Sequence, residues 1–181
     1  MATLTLELPP QKAQTEFNLR RWEELLADRE LAKIEGRIET DRHGHIIMSP
    51  PPAASHGGFQ SVICRLLWDN LPGGRVFTEC PISTADGVKA ADVAWASSGR
   101  VKELGTLPCF PRAPEICVEV ISPSNTEAEN EEKKALYFDA GADEVWLCDK
   151  KGCMRFYMKG VTRPSRTSKL CPQFPRRVEW T

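Results

Sequence analysis

The chain has 181 residues, 41% of them hydrophobic and 27% charged, with 24 Lys and Arg almost balanced by 25 Asp and Glu. Such a length and composition predict one domain with a sizeable core and argue against wholesale disorder. A net charge of −1 excludes bulk electrostatic capture of nucleic acid as a property of the whole chain. No apolar run approaches the ~20 residues of a membrane span.

The first residues, Met1-Ala-Thr-Leu-Thr-Leu-Glu-Leu8, lack a basic stretch followed by an apolar one, so secretion is not expected. They belong to an expected N-terminal extension over residues 1–17. The seven cysteines form no CxxC pair, which points to reduced, structural thiols in a cytoplasmic protein.

Asn18 can cap a helix with Leu19, Trp22, Leu25 and Leu26 on one face. Ile38 and Ile46-Ile47-Met48 read as short strands around the turn Asp41-Arg42-His43-Gly44. His43 and His45 fall in that turn; with no third ligand in local spacing they read as turn chemistry, not a metal site. Ser49-Pro-Pro-Pro52 breaks the chain, and Ser55 is placed to cap a second helix with the stripe Phe59, Val62, Ile63, Leu66 and Leu67. Strands follow at about 75–82 and 91–96, with Val88 to Ala91 read as the end of a turn and Asp92 as the opening of the second strand. The stretch 99–114 reads as an exposed loop. Glu115 to Ile121 is a strand, Thr126 caps a helix ending before Gly141, and Val145–Cys148 and Met154–Met158 are further strands. Strand–helix–strand over 115–148 makes a crossover with two parallel neighbours, so the expected fold class is α/β with a mixed β-sheet flanked by helices.

Charge is uneven along the chain. From Lys150 onward nine basic residues face one acid, Glu179. The basic C-terminal segment 160–181 is either a solvated tail or a lip that meets phosphates.

Two carboxylates are out of place for a core. Glu119 sits within Ile116–Ile121, where alternation puts it on one face with Cys117 and leaves Ile116, Val118 and Val120 on the other. A buried carboxylate needs a cation, a hydrogen bond or a proton. Asp92 and Glu79 likewise interrupt or border apolar strands. Carboxylates converging from adjacent strands would make a hard-oxygen site suited to Mg²⁺. Glu129, Lys133 and Tyr137 share one helical stripe, and Lys133 either pairs with Glu129 or points over the sheet toward Glu119. A structural Glu119–Lys133 ion pair is the alternative to a catalytic one.

The run Ala91-Asp92-Val93, then Glu119-Val-Ile-Ser-Pro-Ser124, then Glu129, Lys133, Tyr137, Gly141 and Glu144-Val-Trp146 resembles an uncharacterised restriction-endonuclease-like family of the PD-(D/E)XK nuclease superfamily. Glu39, the run Met48-Ser-Pro-Pro51 and His56 resemble the same family's N-terminal signature. The resemblance spans residues 35–150. It implies a restriction-endonuclease-like core and Mg²⁺-dependent hydrolysis of DNA phosphodiesters, with Mn²⁺ as a possible substitute. Asp92 and Glu119 match the motif acids and would ligate the metal, with Glu79 as a further candidate ligand. Lys133 matches a helical Lys that would stabilise the transition state, and His56, Glu39 and Tyr137 would support the site. Two positions depart from the superfamily pattern: Ala91 stands in place of Pro, and Ile121 in place of the Lys two residues after the acid. Such nucleases often act as homodimers, since two-fold symmetry suits two antiparallel strands. The alternative is a catalytically inactive nucleic-acid-binding or scaffold protein that keeps the fold.

Overall fold

The computed structural model describes residues 11–33, 36–122 and 125–180. Expectations for residues 1–10, and for Pro123 and Ser124 of the strand-ending motif, lie outside these. Among the described residues no helix is long and apolar enough to cross a membrane.

Helix α1 (Gln11–Ala27) leads into the antiparallel pair β1 (Arg37–Thr40) and β2 (Ile46–Ser49). Helix α2 (Ala54–Asn70), strands β3 (Gly74–Thr84) and β4 (Gly87–Ser97) and the short helix α3 (Ser98–Leu104) follow. Strand β5 (Ile116–Val120), helix α4 (Glu127–Asp139), β6 (Glu144–Cys148) and β7 (Met154–Met158) complete the order. The main sheet runs β3-β4-β5-β6-β7, with β5 and β6 parallel and every other pair antiparallel. The expected mixed sheet and its crossover are therefore present, and β1-β2 forms a separate hairpin.

The two faces of the sheet are packed differently. One face carries Val93, Ile116, Val118, Val120, Trp146 and Phe156, covered by Phe59, Ile63 and Leu67 of α2. The other carries Ala94, Cys117 and Val145, covered by Tyr137 of α4 and Ala140 just past its end. The C-terminal segment seals the first face, with Cys171, Phe174 and Val178 buried there. The segment is anchored at these three residues, while Arg163, Arg166, Lys169, Arg176 and Arg177 are exposed to solvent.

Several local expectations are corrected. Asn18 lies inside α1, which begins at Gln11, within the stretch expected as an extension. Instead of capping, the Asn18 amide donates to Ser83 Oγ and the Thr84 carbonyl, tying α1 to the β3-β4 turn. Helix α2 starts one residue before Ser55, and its cap residue is Ala53, with no side-chain cap. Strand β4 begins at Gly87, so Val88 to Ala91 are strand and Asp92 is central in it. The stretch 99–114 opens with helix α3, capped by Ser97, whose side chain accepts from the Arg100 amide. Thr126 does cap α4, in a reciprocal box with Glu129.

The hairpin β1-β2 docks against the start of β4. The Val88 amide donates to Thr40 Oγ1, and Lys89 Nζ donates to the Thr40 carbonyl. Gly87 makes this approach possible: at φ 82°, a Cβ there would lie 2.3 Å from the Asp41 carbonyl oxygen. Asp41 in turn closes the hairpin turn, accepting from the His43 and His45 amides.

Candidate active site

The register of the sheet lines up the three acids. Val93 pairs with Val118 and Thr78 with Val93. Continuing both ladders by one residue sets Asp92 beside Glu119 on β5 and Glu79 on β3. Asp92 and Glu119 are both buried, and Asp92 is 1% exposed. Glu79 departs from the regular pleat at φ 48°, and its side chain stays half exposed at the rim. There Gln60 of α2 donates to Glu79 Oε1 at 2.7 Å and to the Asp92 carbonyl at 3.1 Å.

Each buried acid is held by specific donors. Asp92 Oδ2 accepts from the Val120 amide at 2.6 Å, across the β4-β5 boundary. Its Oδ1 lies 2.5 Å from Arg37 Nη1 and 3.3 Å from His56 Nε2. Burial pushes the Asp92 carboxyl up, but the hydrogen bond from His56 and the charge of Arg37 outweigh it and hold it below the usual range. The same contact raises His56. His56 Nδ1 is buried without a hydrogen-bond partner.

Glu119 Oε1 accepts from the Tyr137 hydroxyl at 2.6 Å, while Oε2 meets its cations only at 3.5 Å (Lys133) and 3.8 Å (Arg37). Burial dominates here and drives the Glu119 carboxyl up to about 7 against the pull of Lys133. Lys133 Nζ also donates to Glu39 Oε1 at 2.8 Å. Glu39 accepts from the Ala90 amide as well, and its carboxyl lies low because Lys133 and Arg37 outweigh burial. Burial would lower Lys133, but Glu119 and Glu39 raise it, so it is an ammonium.

Lys133 therefore points over the sheet to Glu119. Glu129 instead turns back to the helix cap, donating nothing and accepting from the Thr126 amide. The structure brings Asp92, Glu119, Lys133, Glu39, Tyr137 and His56 into one buried polar cluster, with Glu79 at its edge. Among the described residues no group of three His, Cys, Asp or Glu side chains is arranged to hold a metal.

One member was not foreseen. Arg37 of β1 extends its guanidinium between the acids, reaching Glu39 at 3.0 Å, Glu79 at 3.6 Å, Asp92 at 2.5 Å and Glu119 at 3.8 Å. The only sequence signal for it is the pair Arg37 and Glu39 at i and i+2, two charges on one face of a short strand.

Comparison with known proteins bears on the family and the fold. The family model Uma2, described as "Putative restriction endonuclease", matches residues 22–169. A crystal structure from Anabaena variabilis ATCC 29413, titled as a "putative nuclease belonging to DUF820", superposes with a TM-score of 0.63 over 77% of this chain and 80% of that one. At 20% identity that likeness speaks for the fold. No functionally curated protein matches the chain.

Proposed function

The chain belongs to the Uma2 family, and we propose that it is a Mg²⁺-dependent endonuclease hydrolysing phosphodiester bonds of DNA, with Mn²⁺ as a substitute. The observation that carries this reading is the meeting of Lys133, from the helix after β5, with Glu119, beside Asp92 on the next strand. These residues lie far apart in sequence, and a plain structural pair would not need Asp92 aligned by a backbone amide next to them.

The donor set suits a hard cation. Mg²⁺ takes one or two carboxylates and fills its remaining positions with water and phosphate oxygens. Asp92 and Glu119 would hold it, with Glu79 available at the rim; among the described residues Glu119 Oε2 has no cation closer than 3.5 Å. Bound there, the ion supplies Lewis acidity, making water a better nucleophile and offsetting phosphoryl charge. The protein's own groups do the rest. The Val120 amide and His56 fix the orientation of Asp92, and the Tyr137 hydroxyl fixes that of Glu119. Lys133 offers a fixed positive charge to the phosphoryl oxygens as negative charge builds on them, in place of the Lys missing at Ile121.

A second reading, a nucleic-acid-binding protein that keeps the fold without the chemistry, is favoured by one observation: Arg37 already contacts both acids. Plasmid cleavage separates the two. Mg²⁺-dependent cleavage by the wild type, lost in both Asp92→Asn and Glu119→Gln with folding intact, supports the nuclease. Binding that falls steeply with salt, ignores Mg²⁺ and gives no cleavage supports the second reading.

A further inference from the structure

Charge in the cluster is shared unequally. Four carboxylates face two permanent cations; Lys133 reaches two of the acids, and Arg37 reaches all four. The guanidinium thus lies where Asp92 and Glu119 come together. Both of its terminal nitrogens are used on carboxylates, while its Nε is buried with no hydrogen-bond partner among the described residues. A guanidinium kept purely for structure gains most when its whole fork is satisfied. Arg37 is also carried on the β1-β2 hairpin, a sheet separate from the one that carries Asp92 and Glu119, so the cation and the two acids sit on different sheets.

We infer that Arg37 is a resident cation, which holds the acids together in the metal-free protein and competes with a divalent ion for Asp92 and Glu119. This rests on the assignment of those two acids as metal ligands. A dication entering beside a fixed guanidinium meets a like charge at short range in a poorly screened site. Metal binding is therefore an exchange in which Arg37 gives up its contacts. Arg37 is in this sense a positioning residue: it sets how much free metal is needed to assemble the site.

The test is a calorimetric titration of the full chain with MnCl₂, with circular dichroism to confirm folding. With the like charge removed, Arg37→Gln is expected to bind Mn²⁺ at least ~10-fold more tightly than the wild type. Adding Glu119→Gln to that variant should remove the gain. Arg37→Lys, which keeps the charge and loses the fork, should fall between, about 3-fold tighter than the wild type. Equal or weaker binding by Arg37→Gln, in a wild type that does bind, overturns the inference and leaves the ligand assignment standing. Should Arg37→Gln fail to fold, equal affinity of Arg37→Lys and the wild type overturns it. Absence of Mn²⁺ heat in both the wild type and a folded Arg37→Gln rejects the ligand assignment itself, and the inference with it.

Discussion

The two faces of β5 are built from alternate residues of the same five-residue strand and do opposite things. Ile116, Val118 and Val120 enter an apolar core with Trp146, Phe156 and Phe174, whose ring centroids lie 4.6 to 6.2 Å apart in edge-on or tilted contact. Cys117 and Glu119 face α4, and there the packing gives way to a network of acids and cations. The first face contributes stability by removing apolar surface from water. The second gives some of it up, because desolvated charge is only partly repaid by pairing. The contrast shows why the α2 face can be large and simple: it has to offset a destabilised neighbour one residue away.

The largest expected effect is on the apolar face. Trp146→Ala removes a fully buried ring and should destabilise the fold by about 3–5 kcal/mol, read from denaturant unfolding. A value below ~1 kcal/mol would mean that this face is not the main source of stability. On the polar face, Lys133→Met should lower Mg²⁺-supported cleavage by about 100-fold with little change in unfolding midpoint. If it instead destabilises by ~3–5 kcal/mol, Lys133 is mainly the partner of a structural ion pair and the contrast fails.

A smaller effect tests the cost of Glu119 directly. Burial pushes its carboxyl from the ordinary 4.5 up to about 7 in the folded chain. The folded state therefore binds the extra proton, and the metal-free protein loses stability as pH rises through that window. Glu119→Gln should melt higher than the wild type at pH 8, by about 2–4 °C per kcal/mol gained, and the gap should shrink at pH 5. An advantage that grows toward pH 5 would reverse the sign and the argument. The smallest change is expected for Thr126→Ala, which removes the α4 capping box at about 1 kcal/mol; thermal melts should detect it.

Much of this was legible in the sequence because it follows from strong periodicities. The alternation in Ile116–Ile121 assigned both faces of β5, and Thr126 as a cap fixed the start of α4 and the stripe that carries Lys133 and Tyr137, while the partner of Lys133 stayed open between Glu129 and Glu119. The misplaced helix starts share a cause. Asn18 and Ser55 are good capping residues by type, but α1 and α2 extend past them through polar or small residues whose contribution depends on tertiary contacts. Asn18 is spent on the β3-β4 turn instead. The early part of β4 was missed because Lys89, Ala90 and Ala91 are weak strand formers held in place by pairing to β3 and by the docked hairpin. Arg37 was illegible for a simpler reason. Its partners Asp92 and Glu119 lie 55 and 82 positions away, and no local pattern distinguishes a site arginine from a surface one.

The docking of β1-β2 through Gly87 has a further consequence. Arg37 and Glu39 ride on a hairpin that is not hydrogen-bonded into the main sheet as a strand, and it is joined to β4 by a handful of bonds from Val88, Lys89 and Ala90. The charged cluster is thus assembled from two cooperative units of unequal strength. Partial opening would detach the hairpin first and expose Asp92 and Glu119 while the sheet stays intact, so amide exchange in residues 37–49 should run ahead of exchange in β4 and β5.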